Sequence, residues 1–287
     1  MTRPTRMLDD RHPKTDSKLI VNPISSRNHD VVKRLRKLGR RIYRDLNGTF
    51  IVEGLSLLQE AISSGARLRE VAYVDARAEE AVFLRGRSAE PVTIHELSQP
   101  LMEWVSDVVT SQGILGVVDQ VDTTYEELLL PEASIVMVAD QVRDPGNLGS
   151  LLRIADATGV DAFLMTDGCV DPYNPKVVRS GAGAHFHVRM SRGVELATLK
   201  EDAKDRIALL GLDPHSESNY LEVDMTGPVA LIVGNEAFGI TETDRALLDG
   251  TISIMMPGKA ESLNVACAAA VVLFEALRQR EAGLRGG

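Results

Sequence analysis

Only two of the 287 residues are cysteine, Cys169 and Cys267, and neither sits in a metal-ligand spacing. That excludes a disulfide-stapled scaffold and leaves the expectation of buried, reduced thiols in a cytoplasmic protein. Aromatic residues are scarce, at 4% with a single tryptophan, which argues against a surface that grips single-stranded nucleic acid mainly by stacking. The longest apolar run, Val265–Phe274, is too short and too alanine-rich to span a bilayer, so no membrane partner is expected. The opening residues are polar and proline-punctuated rather than a hydrophobic signal segment. The six histidines show no metal pattern, and His185 and His187 alternate as they would in a strand. No metal is expected. Gly181-Ala182-Gly183 follows a helical segment rather than a strand, which fails the context of a dinucleotide fingerprint. Gly234–Gly239 lacks the Lys-Ser/Thr ending of a phosphate loop, and no nucleophile elbow supports a hydrolase triad.

What is present begins with charge. The first 45 residues hold 13 Lys/Arg against 5 Asp/Glu, a net of +8, so the other 242 carry −17 of the chain total of −9. A basic leading segment on an acidic body is a candidate foothold for a polyanion; the plain alternative is a solvated helix face behind a soluble tail.

Residues 1–26 mix Pro, Asp, Arg and Ser without periodicity and read as a tail that is disordered alone. From Asn28 a helical stripe runs through Val31, Val32, Leu35, Leu38 and Ile42, with Lys33, Arg34, Arg36, Lys37, Arg40, Arg41 and Arg44 on the remaining surface. Short strands are predicted at Phe50–Val52, Val71–Val74, Val92–Ile94 and Ile114–Val118, with helices at Leu55–Ser64, Ala78–Leu84 and Glu96–Asp107 between them. This alternation predicts a small α/β/α domain over 27–118. A charged linker with one helical turn is expected over 119–133. A second alternation over 134–287 places strands at Ile135–Ala139, Ala162–Met165, Ile207–Gly211, Val229–Val233 and Ile252–Ile254. Its helices are expected at Leu148–Thr158, Pro175–Ser180, Glu195–Asp205, Thr241–Leu248 and Leu263–Arg280.

Continuous apolar runs such as Ile135–Ala139 and Val229–Val233 read as strands buried on both faces of a parallel sheet. In such sheets ligands bind beyond the carboxyl ends of the strands. Three polar segments close apolar runs there: Asp140–Arg153, Gly234–Gly239 and Pro257–Asn264. An ordinary role exists for each residue alone. Asn147 and Ser262 suit helix N-caps, Arg153 suits an ion pair with Asp156, and Glu236 suits the first turn of a helix. Asn147, Arg153, Glu236, Ser262 and Asn264 together, at strand ends with glycines beside them, point to a site. A guanidinium at that edge is a natural clamp for phosphate.

These segments resemble the three motifs of the SpoU (TrmH-type) ribose 2′-O-methyltransferases, within the knotted SPOUT class. The first reads DPGNLGSLLRIADATG (Asp144–Gly159), the second IVGNEAFGI (Ile232–Ile240), and the third IMMPGKAESLNVACAAAVVLFE (Ile254–Glu275). Asn28–Val118, with FIVEG from Phe50 and QGILG from Gln112, resembles the L30e-like substrate-binding domain that precedes the catalytic domain in many members. The resemblance implies an α/β fold with a trefoil-knotted parallel sheet, S-adenosyl-L-methionine as cofactor, a homodimer and an RNA substrate. It implies that Gly234, Ile254 and Leu263, with Leu212 and Met256, line the cofactor pocket. Asn147, Arg153, Glu236, Ser262 and Asn264 fall on the catalytic positions. Relatives often carry Pro directly after the position of Ile254, where this chain has Met255 and places proline at 257.

Arg153 is often assigned in this family to activating the 2′-hydroxyl. A guanidinium stays protonated at ordinary pH and makes a poor base, so a grip on the neighbouring RNA phosphate is the preferred role. RNA is expected on Arg27, Lys33, Arg34, Lys37, Arg40, Arg41 and Arg44 of the leading helix and on Lys176 and Arg179 beside the site, through phosphates and RNA shape. The two-domain layout resembles the antibiotic-resistance members, above all the avilamycin-resistance type that methylates a uridine of 23S rRNA. A transfer-RNA methyltransferase and a non-catalytic RNA-binding protein are the alternatives.

Overall fold

The computed structural model describes residues 23–106, 110–128, 135–204 and 206–286. The expected tail up to residue 22, the helix ends at Asp107 and Asp205, linker residues 129–133, Ser134 and Gly287 lie outside them. Of the tail, Ile24 is held: its N–H donates to Glu96 O at 2.8 Å and its carbonyl accepts from Ser98 N at 3.0 Å.

The first domain runs α1 (Asp30–Lys37), α2 (Arg41–Asn47), β1 (Thr49–Glu53), α3 (Leu55–Ser63), β2 (Leu68–Tyr73), α4 (Ala78–Arg87), β3 (Thr93–Glu96), α5 (Gln99–Val105) and β4 (Ile114–Asp119). Its sheet has the order β1-β4-β2-β3, antiparallel except for the parallel β2–β3 pair. The predicted leading helix is two helices. It breaks around Gly39 and Arg40, which turns Ile42 out to 71% exposure while Val31, Val32, Leu35 and Leu38 stay buried. A 3-10 turn at Glu126–Leu128 follows in the linker.

The second domain runs β5 (Ile135–Ala139), α6 (Pro145–Thr158), β6 (Ala162–Met165), α7 (Pro175–Gly181), β7 (Met190–Arg192), α8 (Leu196–Ala203), β8 (Ala208–Leu212), β9 (Val229–Val233), α9 (Glu242–Arg245), β10 (Gly250–Ile252) and α10 (Val265–Gly286). Its six strands are all parallel, in the order β10-β8-β9-β5-β6-β7. β5, β6 and β9 are buried throughout, as both-face burial in a parallel sheet requires. The strand expected at His185/His187 is instead a 3-10 turn, Ala184–Phe186, and β7 follows it. After β8 the chain makes an excursion over α10 before returning as β9. Gln279 accepts from Met225 N at 2.8 Å and donates to Val223 O at 3.1 Å, and Arg280 Nε donates to Met225 O at 3.1 Å. α6 packs closely on α7 because residue 149 is glycine: a Cβ there would lie 1.9 Å from Ser180 Oγ and 2.7 Å from Val177 O.

The two domains share one hydrophobic core, from Phe50 and Leu58 to Tyr173 and Ala184. Phe50 and Tyr173 have ring centroids 4.6 Å apart. The Tyr173 hydroxyl accepts from the N–H groups of Val121 and Asp122, each at 2.8 Å, and donates to Asp122 Oδ1 at 2.6 Å. Arg192 ties Asp122 (2.7 Å) to Asp45 (3.2 Å). His187 lies between Glu60 of α3 (2.8 Å) and Asp156 of α6 (3.1 Å).

This interface corrects one sequence expectation. Arg44 is not on a polyanion-binding face: it is 2% exposed, its Nε donates to Asp171 Oδ2 at 2.9 Å, and its Nη1 donates to Leu38 O at 2.8 Å. A buried guanidinium needs a carboxylate beside it, and Asp171 supplies it across the domain boundary. The expectation of two buried thiols also fails at Cys267, which is exposed on α10; Cys169 is half-buried and its thiol is pushed up to about 11 by burial.

Candidate active site

Strand order decides which loops can meet. β10, β8, β9 and β5 are consecutive neighbours, so the segments leaving their carboxyl ends share one edge of the sheet. Beyond β5, Asp140 is buried, its Oδ1 accepts from Thr166 Oγ1 at 2.8 Å, and burial raises its carboxyl above the ordinary range. Gln141 takes φ +52°, and its carbonyl accepts from Asn235 Nδ2 at 2.8 Å. This bond fastens the β5 loop to the β9 loop.

Asp144, not Asn147, caps α6: its Oδ1 accepts from Asn147 N at 2.9 Å, with Pro145 in the first helical position. That releases the Asn147 side chain, which donates to Glu236 Oε1 at 3.0 Å and accepts from Asn264 Nδ2 at 2.8 Å. Asn264, rather than Ser262, caps α10, with its Oδ1 accepting from Ala266 N at 2.9 Å. Glu236 also accepts from Asp144 N at 3.1 Å and Arg143 N at 3.3 Å. Partial burial alone would raise the Glu236 carboxyl. The amide of Asn147 and the backbone N–H groups outweigh it and hold the group below the ordinary carboxylate range. It is an ionised acceptor that organises its neighbours.

Three of the five predicted catalytic side chains therefore form one chain, Asn264–Asn147–Glu236, that joins all three polar segments. Arg153 and Ser262 are exposed, and neither takes a hydrogen bond or ion pair among the described residues. Asp156, three residues along α6 from Arg153, is engaged by His187 instead. Asn235, which sequence reasoning passed over, is the buried anchor of the β9 loop; its place directly after a buried strand was the available signal.

Leu212 ends β8, Gly234 directly follows β9, and Ile254 lies two residues beyond β10. Gly234 is required: a Cβ would lie 2.5–2.6 Å from the backbone of Gly239 and Ile240, where the loop closes on the Asn235–Gly239 bridge. From Ile254 to Leu263 no peptide group takes a backbone hydrogen bond among the described residues. Met256 is half-buried, and Met255 and Leu263 are exposed. These groups fit an adenosine-bearing methyl donor, with peptide N–H and C=O groups for its polar atoms and apolar side chains for its base.

Of the expected RNA contacts, Arg27, Lys33, Arg34, Lys37, Arg40, Arg41, Lys176 and Arg179 are exposed. Arg34 is paired with Glu70 at 2.5 Å, Arg41 with Asp45 at 3.3 Å, and Lys176 lies 3.8 Å from Asp144.

A parallel α/β domain whose strand-end loops converge in this way defines the class, and comparison with known proteins gives the family. Residues 134–274 match the SpoU rRNA Methylase family, and residues 29–116 match the MRM3-like substrate binding domain. The chain is 34% identical over 257 residues to the 23S rRNA (guanosine(2553)-2′-O)-methyltransferase RlmP of Bacillus subtilis, spanning 88% of this chain and 98% of that protein. It is 31% identical to the 23S rRNA (uridine(2479)-2′-O)-methyltransferase of Streptomyces viridochromogenes, over 91% and 93% of the two chains. The crystal structure of the SpoU methyltransferase AviRb from that organism, in complex with AdoMet, superposes with a TM-score of 0.81 at 28% identity, covering 88% and 98%. The chain belongs to the SpoU rRNA methylase family. Its fold is the α/β knot of the SPOUT class, and the domain before it is the one that matches the MRM3-like substrate binding domain.

Proposed function

We propose that this protein transfers a methyl group from S-adenosyl-L-methionine to a ribose 2′-hydroxyl of 23S rRNA. The observation that carries this reading is the Asn264–Asn147–Glu236 chain, which gathers three distant segments at the ligand edge of a parallel sheet. Relatives named for 23S rRNA 2′-O-methylation, aligned over nearly their whole length, support the reaction and the substrate. Their target bases differ, guanosine in one and uridine in the other, so what the two named reactions have in common is the ribose rather than the base.

When bound, the cofactor supplies an electrophilic methyl on a sulfonium. Leu212, Gly234, Ile254, Met256 and Leu263 hold it. Asn147, Ser262 and Asn264 orient the ribose, and Glu236 fixes Asn147 and the β9 loop. Arg153 grips the phosphate next to the target and favours the deprotonated hydroxyl by its charge. Positioning of this kind contributes several of the roughly 7–11 kcal/mol available to well-oriented reactants. Cys267, Val271 and Phe274 form an exposed stripe along α10, at the spacing of one helix face, and we assign it to a homodimer. The setting is the cytoplasm, with ribosomal RNA as partner; protection from a ribosome-directed antibiotic is the physiological outcome we propose.

Calorimetry with S-adenosyl-L-methionine, then tritiated methyl transfer to total RNA, tests the proposal. Donor binding followed by label in 23S rRNA supports it. Label confined to tRNA, or donor binding without transfer, contradicts it. Arg153→Ala that keeps full activity refutes the role of Arg153, whereas Arg153→Lys with most activity retained points to charge rather than a bidentate fork.

A further inference from the structure

A cationic track crosses the domain boundary, and the lone tryptophan stands at its far end. Trp104, on α5, is half-buried, and the guanidinium carbons of Arg27 and Arg36 each lie 5.4 Å from its ring centroid. Arg36 also lines a crevice between the domains that it shares with Gly39, Ile51, Val105 and, from the catalytic domain, Val178 and Arg179. Arg179 is one turn along α7 from Lys176, whose Nζ is 3.8 Å from Asp144, the residue that caps α6 beside Asn147. Trp104, Arg36, Arg179 and Lys176 are thus stepping stones from the substrate domain to the site.

Two further observations set what the track can hold. The crevice encloses a cavity of about 30 Å³, room for a water molecule or two and far too small for a nucleobase. A strand running along it lays its phosphates over the crevice and keeps its bases outside. Glu53 is the carboxylate of the lining, and its oxygens are taken by the hydroxyls of Ser106 (2.6 Å) and Ser111 (2.7 Å) and by Gln112 N (3.0 Å). Glu53 keeps its charge but turns its acceptors to these donors, and Arg36 and Arg179 outnumber it two to one along the lining. On a chain of net charge −9 such a path is a selective feature rather than a general positive coat.

We infer that a single-stranded segment of the RNA substrate follows this track, with one nucleobase stacked at Trp104 and its phosphates on Arg36 and Arg179. The base displaces one guanidinium from the ring and turns that cation toward the backbone. This stays within the expectation that stacking is not the main mode of grip: one aromatic residue, with two arginines against its ring, acts as a single register point. The inference rests on the reading of the protein as an RNA methyltransferase.

Because Trp104 is the only tryptophan, its fluorescence in the unaltered protein reports the contact directly. Titration with a single-stranded oligoribonucleotide is expected to quench it, with a midpoint that matches binding measured by anisotropy of labelled RNA; a duplex of equal length quenches less. Trp104→Leu is expected to raise the KM for RNA about 5- to 150-fold, the range for loss of one stacked base, with kcat and donor affinity little changed. Arg36→Gln lowers the slope of log affinity against log salt by about one. Arg87→Glu, a charge change on exposed α4 outside the crevice, leaves KM within about twofold. Binding and methylation of RNA without quenching, or with unchanged KM in both Trp104→Leu and Arg36→Gln, overturns the track and leaves the enzyme reading intact. Absence of RNA binding and methyl transfer by the unaltered protein overturns both.

Discussion

Glu236 offers the sharpest perturbation of the site, because one atom decides it. Its Oε1 accepts from Asn147 Nδ2 and Asp144 N, and its Oε2 accepts from Arg143 N. Glu236→Gln keeps the size and one acceptor. With the carbonyl oxygen in the Oε1 position, the new amide NH2 faces the N–H of Arg143, donor against donor. One hydrogen bond is lost outright and two lose their charge assistance. Charge-assisted bonds are worth about 1.5–3 kcal/mol each when shielded, but Glu236 is exposed, so about 1–2 kcal/mol in total is the reasonable figure. Asn147 then samples other rotamers, and that loss falls on the oriented state. The expected result is a fall in kcat of about 5- to 30-fold at 25 °C, with global stability lowered by no more than the same total of about 1–2 kcal/mol. Methyl transfer under saturating donor and RNA, beside a denaturant melt, measures both. Full activity in Glu236→Gln would refute the claim that this carboxylate organises the site. A cooperative loss of stability larger than the loss of activity would refute its being local.

Three further outcomes follow from the same geometry. Arg44→Met is expected to cost about 3–5 kcal/mol in a denaturant melt, because Asp171 is left charged and buried; adding Asp171→Asn recovers part of it. Gly234→Ala drives a Cβ to within 2.6 Å of the Gly239 and Ile240 backbone, a strain of about 1–3 kcal/mol, and calorimetry should show donor affinity reduced about tenfold or more. The bond from Asp156, supported by Glu60, raises the His187 ring above its ordinary value, so the His187 clasp between α3 and α6 is fully present below pH 6.5. It is lost as pH rises through that raised value, and thermal stability measured between pH 6 and 9 should decline less in His187→Gln than in the unaltered protein.

The parts of the fold that were legible are those in which burial writes itself into local sequence. β5, β6 and β9 match the predicted residues because strands covered on both faces must be continuously apolar. β7 carries no such signature: it is three residues long, ends in Arg192 and has one neighbour, β6. α1 and α2 read as one helix because a 3.6-residue stripe passes over Gly39 without a break in period. The candidate site was legible as a set of segments, since polar and glycine residues that close buried strands gather at one edge. The bonding within it was not. Asp144 and Asn147 are both good caps by type, and only the presence of Glu236, 89 positions on, decides which of them is released. Arg44 shows the same limit, because its charge belongs to a face by spacing and to Asp171, 127 positions away, by tertiary contact.

The central claim is that the loops joined by Asn147, Glu236 and Asn264 direct a methyl group to one ribose of 23S rRNA. The most direct measurement is to map 2′-O-methylation, read as resistance to alkaline cleavage, along 23S rRNA from cells with the intact gene, without it, and with Asn264→Ala in its place. One alkali-resistant linkage that appears with the intact gene alone and fades in the variant is the predicted result. A 23S rRNA with the same resistant positions in all three strains contradicts it.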